Sequence, residues 1–500
     1  MNLNGFAKVK TRIAPSPTGN LHLGTVRTAL YNVLFSKKHG GEFFFRLEDT
    51  DRERSEARFT EEILDGFKWL NIKWDKPEVR VAQEPSLVGL GEDLIVRQSL
   101  REAVHQQYIE RLIQEGKAYR CFATVEELDA MREAQRARKE IERYDNRSRS
   151  LSKEESNSLL ASGKAFVVRL NLGEDHVISW NDLIRGEVSI NTKDLGGDPV
   201  IQKSTGQILY NFAVVIDDYE MQISHILRGE DHISNTAKQI AIYEALNFPI
   251  PAFGHLPLIF TKDKQKLSKR KHGDIASVET YRKQGYLAEA LVNYLIGTSY
   301  NSAKYGELFD LNSGAEDFDI SSVSKSPAIY DIQKLNWYNR EYISKLSYEE
   351  FLEYCIRFSR FKLSESNSYS NSEIKQILES VKESIDKFEQ IDEHISYFFE
   401  DVVIGDKEDL LKILSEGQPV IEKLIKEIES NELEFTELAI KERINNIGES
   451  LNLKGKKLFF PIRVAISAKT SGPELGLIAV LLGKEKFLER LKAARVKIST

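Results

Sequence analysis

Cysteine is nearly absent: Cys121 and Cys355 are the only two in 500 residues. Two thiols cannot build a disulfide framework, and such scarcity fits a reducing cytoplasm. Excess positive charge is missing too. Lys+Arg 70 against Asp+Glu 77 leaves −7, so no global field advertises a polyanionic partner. Any nucleic-acid contact must come from local basic faces. No apolar run approaches the roughly eighteen residues of a membrane span, and the opening MNLNGFAKVKTRIAPS has no apolar core and is too short for a transit segment. What is present is a globular balance of 41% hydrophobic, 29% charged and 10% aromatic residues, which excludes a wholly disordered or fibrous chain. The length suggests about three or four domains. A multidomain cytoplasmic protein is expected, with no membrane contact.

The first fifty residues read as strand, loop, helix, strand. Lys8–Ala14 is a short extended run, and Pro15-Ser16-Pro17-Thr18-Gly19-Asn20 is a turn that cannot be helical throughout. From His22 to Lys38, Val26, Leu30, Val33 and Leu34 recur at helical spacing, and His39-Gly40-Gly41 stops the helix. Glu42–Leu47 reads as a buried strand. This is a βαβ unit, whose ligands bind beyond the carboxyl ends of the strands. Residues 90–150 look helical and polar, Lys164–Leu172 and His176–Thr192 return to strand patterns, and 208–228 reads as two strands separated by Asp217-Asp218. Asn235–Leu246 is a predicted helix and Phe253–Phe260 a short strand. Beyond about residue 335, strand signals and glycines thin out and helical patterns run almost to Thr500.

Four segments could carry chemistry. The turn from Arg12 to Thr25 ends a strand and starts a helix with His22 and Gly24 in its first turn. Such an N-terminus favours an anion such as phosphate, Gly24 permits close approach, and His22 can donate to a phosphoryl oxygen. A tight connection with a capping histidine explains the same residues. Glu48-Asp49-Thr50-Asp51 ends the Phe-rich strand; Glu48 could hold an ammonium group, while Asp49 and Asp51 could cap the next helix or pair with Arg52 or Arg54. A solvated acidic turn is the alternative. Arg228-Gly229-Glu230-Asp231-His232 again follows an apolar run. Arg12 and Arg228, with Glu48 between them, would suit a ligand with two carboxylates and one ammonium, provided the sheet order brings them together. Lys266-Leu267-Ser268-Lys269-Arg270-Lys271 is a basic loop that could close over a triphosphate, or merely be solvated.

In order, and about 240 residues apart, His22-Leu23-Gly24-Thr25 and Lys266-Leu267-Ser268-Lys269-Arg270 resemble the HIGH and KMSKS signatures of class I aminoacyl-tRNA synthetases. The longer strings RIAPSPTGNLHLGT, FFFRLEDTDRERS, YNFAVVIDDYEMQISHILRGEDH, KLSKRKHGD, SPAIYDIQKLNWYNREYI and LFFPIRVAISAKTSGPEL are similar to the bacterial-type glutamyl-tRNA synthetase family. The resemblance spans nearly the whole chain. It implies an α/β fold: a Rossmann-like parallel-sheet catalytic domain (1–112 and 211–334) with an α+β insertion (113–210), followed by an all-α anticodon-binding region (335–500). It implies ATP-dependent ligation of L-glutamate to tRNA(Glu) through glutamyl-AMP, with Mg²⁺ accompanying ATP.

Carried over by residue, Arg12, Ser16, Glu48, Tyr210 and Arg228 are the glutamate-binding set that the resemblance implies. His22, Gly24, Thr25, Ser268 and Lys269 are the implied ATP-binding residues, and Lys266 joins His22, Gly24, Ser268 and Lys269 as catalytic. Arg12 separates the chain from the glutaminyl enzymes, which have proline there; an arginine facing an amide would be left unpaired. Many relatives carry zinc in the insertion, near the present Cys121, Ala123, Ser148 and Ser150. One ligand of four remains, so no zinc is expected. Candidate phosphate contacts are Arg132, Arg136, Arg138, Lys139, Arg143, Arg147 and Arg149 in the insertion, then Lys454, Lys456, Lys457 and Arg463, then Lys484, Lys486, Arg490, Lys492, Arg495 and Lys497. A monomer is the family expectation. Whether tRNA(Gln) is also charged stays open, as do a tRNA-binding paralogue without ligase activity and a tRNA-independent adenylyltransferase.

Overall fold

A computed structural model describes residues 5–50, 57–77, 79–81, 84–86, 95–366, 368–405, 407–430 and 434–499, the side chains of 79–81, 84–86, 269, 270 and 499 excepted. The chain divides into two units, residues 1–281 with 288–332, and residues 282–287 with 333–500.

The first unit opens with β1 (Lys10–Ile13), α1 (Leu23–Lys38), β2 (Glu42–Leu47) and β3 (Val96–Arg97), whose strands pair in parallel in the order β1-β2-β3. Phe43, Phe44 and Phe45 of β2 are all buried, as a strand covered on both faces demands. The insertion contributes β4 (Ala118–Cys121), β5 (Val167–Leu170), the hairpin β6 (Val177–Asp182) with β7 (Gly186–Asn191), and β8 (Val200–Gln202). Strands β8, β5 and β4 form an antiparallel sheet. Helices Val125–Ala137 and Lys153–Ala161 flank it, each started by a capping box, Thr124 with Glu127 and Ser152 with Glu155. This is the α+β insertion.

The parallel architecture then resumes with α2 (Tyr210–Glu220), β9 (His225–Gly229), α3 (Ile233–Leu246), β10 (Ala252–Leu256) and β11 (Ile259–Phe260). Here two expectations fail. Residues 208–228 are not two strands: Tyr210–Glu220 is helical, and Asp217-Asp218 lies inside that helix instead of in a turn. Phe212 to Asp218 are buried without interruption, so no 3.6-residue stripe survives to be read, and Val214, Val215 and Ile216 imitate a strand. The Phe253–Phe260 run is split at Pro257, after which Leu258 N–H donates to Glu230.

Strands β9 and β10 pair in parallel, and Ser224 joins them to the first half. Its N–H donates to Lys10 O at 3.0 Å and its hydroxyl accepts from Lys10 N–H at 2.8 Å. The resulting order is β3, β2, β1, β9, β10, with β1 at the centre. Beyond Gln333 every described regular element is helical, from Ile332–Lys345 through Lys484–Ser499.

Candidate active site

A cavity of about 460 Å³ lies at the carboxyl ends of these parallel strands. Arg12, Ser16, His22, Gly24, Thr25, Glu48, Tyr210, Arg228, Lys266 and Ser268 all line it. Lys269 opens the short helix Lys269–His272, its side chain outside the described residues. Because β1 is central, Arg12 lies between Glu48 and Arg228; the expected arrangement with Glu48 in the middle is incorrect.

The floor of the cavity is an ionic network that motif reading missed. Arg12 donates from Nε to Asp218 Oδ1 at 3.1 Å and from Nη2 to Oδ2 at 3.3 Å, leaving Nη1 unengaged among the described residues. Arg46, fully buried in β2, donates from Nη1 to Asp218 at 2.6 Å and from Nη2 to Glu48 at 3.1 Å. Burial would raise the Asp218 pKa, yet Arg12 and Arg46 hold it below the ordinary carboxylate range. Burial prevails at Glu48, whose pKa is raised despite Arg46 and Arg12. Next along α2, Asp217 accepts from Arg101 Nε at 2.6 Å and Gln98 at 2.8 Å and lies 2.8 Å from His105 Nε2. Its pKa is also lowered against burial, chiefly by His105. Arg46 carried a legible signal: an arginine inside FFFRL must find a buried anion.

Arg228 is 5% exposed. Its Nη2 donates to Thr236 Oγ1 at 2.6 Å and its Nε faces His255 Nε2 at 3.4 Å, while Nη1 is buried with no partner among the described residues. Burial lowers its pKa. The Tyr210 hydroxyl lies 3.4 Å from His232 Nδ1, its pKa pushed up to about 12 by burial and by Glu48. Arg12 and Arg46 pair with Asp218 and Glu48, whereas Arg228 meets only the neutral partners Thr236 and His255, so its positive charge remains for a ligand.

At the strand–turn–helix that also lines the cavity, His22 is the N-cap of α1 and its Nδ1 accepts the Gly24 N–H at 2.9 Å. The capping reading therefore holds for that nitrogen. A Cβ on Gly24 would sit 3.1 Å from the same Nδ1, so glycine keeps the cap seated. Lys266 Nζ pairs with Asp231 at 2.8 Å, tying the basic loop to the Arg228–His232 segment, and Ser268 N–H donates to His272 Nδ1 at 3.3 Å. Asp49 accepts from Ser99 N–H and hydroxyl, at 2.8 and 2.7 Å, and so caps the turn after β3. Asp51, Arg52 and Arg54 lie outside the described residues.

Two surface expectations change. Arg132, Arg136, Arg138, Arg143, Arg147 and Arg149 each pair with an acid of this chain, Arg149 with the buried Asp198 at 2.6 Å. Exposed pairs of this kind are worth about 0–1 kcal/mol and exchange readily for phosphate. Arg490 is no phosphate contact: it is 7% exposed and donates to the Ile466 and Glu400 carbonyls. In the insertion, the Cys121 thiol lies 3.2 Å from the Tyr144 hydroxyl, which accepts the Ser148 N–H at 3.2 Å. One thiol, a phenol and serines do not fit a tetrahedral zinc site.

A ligand crevice at the carboxyl edge of a parallel sheet, bounded by a strand–turn–helix and a later basic loop, defines a class I nucleotide-binding catalytic unit, and a helical unit follows it. Residues 8–337 match the family described as tRNA synthetases class I (E and Q), catalytic domain, and residues 348–495 match the anticodon binding domain. The chain belongs to this class I tRNA synthetase family. It is 41% identical over 487 residues to the glutamate–tRNA ligase of Bacillus licheniformis, covering 97% of this chain and 98% of that one. The glutamate–tRNA ligase of Bacillus subtilis is 40% identical, covering 97% and 99%. A crystal structure of a glutamate–tRNA ligase from Elizabethkingia meningosepticum, in complex with its amino acid, superposes with a TM-score of 0.83 at 32% identity, covering 98% and 99%.

Proposed function

We propose that this chain is a glutamate–tRNA ligase, joining L-glutamate to the 3′ end of tRNA(Glu) at the expense of ATP. The observation that carries the substrate assignment is the charge balance on the cavity floor: three guanidiniums against two carboxylates, with Arg228 Nη1 buried and unpartnered among the described residues. Glutamate brings two carboxylates and one ammonium, a net −1 that neutralises the site. Glutamine is net neutral and would leave a buried cation uncompensated.

In this reading Arg12, Tyr210 and Arg228 bind the carboxylates, Glu48 holds the ammonium, and Ser16 closes the rim. The glutamate α-carboxylate attacks the α-phosphorus of ATP and pyrophosphate leaves; the terminal adenosine 2′-hydroxyl then attacks the acyl carbon of glutamyl-AMP, losing its proton as the acyl–phosphate bond breaks and AMP leaves. Such displacement depends on positioning and charge stabilisation. His22, Gly24 and Thr25 line the phosphate side, while Lys266, Ser268 and Lys269 approach from the loop. Mg²⁺ enters with ATP as its counter-ion. The insertion (113–210) takes the acceptor stem and residues 335–500 the anticodon; the protein acts as a cytoplasmic monomer without zinc.

The test is attachment of labelled glutamate, with ATP and Mg²⁺, to separately purified tRNA(Glu) and tRNA(Gln). Charging of tRNA(Glu) alone is the expected result. Charging of both would mark a non-discriminating ligase, and charging of neither would overturn the assignment.

A further inference from the structure

Arg228 is held by a chain of side chains that reaches out of the parallel sheet into the insertion hairpin. Asp182, the last residue of β6, is 2% exposed. Its Oδ1 accepts three backbone N–H groups, from Ile184 at 3.0 Å, Arg185 at 2.9 Å and His255 at 3.1 Å. Its Oδ2 lies 2.5 Å from Nδ1 of His255, a fully buried residue of β10. A carboxylate only accepts, so His255 carries its proton on Nδ1 and presents the Nε2 lone pair on the far side of the ring. That lone pair faces Arg228 Nε at 3.4 Å and Thr236 Oγ1 at 2.9 Å, and Thr236 Oγ1 in turn accepts from Arg228 Nη2 at 2.6 Å. The imidazole is kept neutral: burial lowers its pKa, and although Asp182 pulls the other way, Arg228 adds to the lowering. Two of the three guanidinium nitrogens are thereby fixed; Nη1 is buried with no partner among the described residues, and Arg228 lines the cavity.

We infer that Asp182 and His255 are positioning residues for glutamate recognition: Asp182 sets the His255 tautomer, and His255 with Thr236 aims Arg228 at a substrate carboxylate. The inference rests on the reading that Arg228 binds glutamate. It gives the hairpin of the insertion a part in amino-acid selection, because its final residue decides whether the nitrogen facing Arg228 accepts or donates.

Asp182→Asn separates this role from a structural one. The asparagine Oδ1 can keep all three backbone N–H groups, so the turn survives. Its amide N–H faces Nδ1, which drives the imidazole proton to Nε2 and sets a donor against the Arg228 donor. The expected result is a glutamate KM raised by about tenfold or more, the equivalent of one lost charged hydrogen bond, with the ATP KM unchanged. A second pair of variants covers the case of misfolding: His255→Leu should raise the glutamate KM similarly, and His255→Gln, whose amide oxygen can accept from Arg228, should restore most of it.

Arg228→Ala is measured alongside, alone and combined with Asp182→Asn. If Arg228→Ala leaves the glutamate KM intact, the glutamate reading of Arg228 fails and the inference falls with it. If Arg228→Ala impairs glutamate binding but Asp182→Asn and His255→Leu do not, the inference alone is wrong. If the Asp182 effect persists undiminished in the Arg228→Ala background, Asp182 does not act through Arg228, and the inference is again overturned. Loss of the Asp182 effect in that background is the outcome expected.

Discussion

Asp218→Asn probes the floor of the site with the smallest possible change of shape. Asp218 is fully buried and accepts three hydrogen bonds from two arginines, Arg12 and Arg46. Removing its charge leaves Glu48 as the one ionised carboxylate hydrogen-bonded to those guanidiniums among the described residues. Breaking a buried ion pair by removing one partner costs about 3–5 kcal/mol; asparagine keeps one acceptor, so a stability loss near the lower end, about 3 kcal/mol, is expected. Function should suffer separately. Glu48 is already held by Arg46, and in the variant it draws Arg12 as well, so neither residue presents itself freely to substrate. Loss of one charge-assisted hydrogen bond to the ligand is worth about 1.5–3 kcal/mol, or roughly 10–150-fold in kcat/KM for glutamate. The assay is tRNA-dependent ATP–pyrophosphate exchange with glutamate titrated at saturating ATP, then ATP titrated at saturating glutamate. The ATP KM should move by no more than about twofold, because the His22 ring caps Gly24 N–H and Lys266 pairs with Asp231, both apart from the hydrogen bonds that Asp218 makes to Arg12 and Arg46. A natively folded variant with glutamate kcat/KM within about threefold of the parent would refute the claim that Asp218 orients this site.

Three further outcomes are expected. Burial raises the Glu48 pKa above the usual carboxylate value, so its ionised form, needed to hold the ammonium, is lost as pH falls, and sooner than for an ordinary carboxylate. The glutamate KM should therefore rise on acidification, and Glu48→Gln should flatten that limb while raising the KM at all pH values; an unchanged limb in the variant excludes Glu48 as its source. Gly417 packs where a Cβ would lie 2.0 Å from Pro461 Cγ. Gly417→Ala should overpack the helical unit by about 1–3 kcal/mol, seen as an earlier unfolding transition by calorimetry, and an unaltered thermogram would contradict that packing. Elemental analysis of the purified protein should find far less than one zinc per chain, and a zinc chelator should leave charging unchanged; stoichiometric zinc would show that the insertion holds metal by other ligands.

Much of the site was legible because strand-end chemistry is local. Arg12, Glu48 and Arg228 each follow or end a short apolar run, and the rule that ligands gather at carboxyl ends of parallel strands brings them together. The network beneath them was not legible. Asp218 sits in a helix buried all round, where periodicity vanishes, and its partners Arg12 and Arg46 lie 206 and 172 positions away. Asp182 was hidden differently, inside a hairpin of the insertion whose turn explains an aspartate without any further role. The basic runs erred the other way. Charge is visible in sequence, but the acid each arginine pairs with is not, and Arg490 is consumed by carbonyls that no composition reveals.

The central position of β1 has a bearing on how the chain is made. Its neighbour on one side, β2, emerges from the ribosome directly after it, but its neighbour on the other side, β9, does not exist until residue 229 has been synthesised. At bacterial or eukaryotic elongation speeds of about 5–20 residues per second, that is a wait of roughly 10–40 s. Throughout it, Arg12 and Arg46 lack the acid on which both converge, and the edge of β1 is unpaired. The nascent βαβ unit is thus an exposed, cationic, Phe-rich fragment, a natural client for a chaperone, until α2 delivers Asp218 and β9 closes the edge.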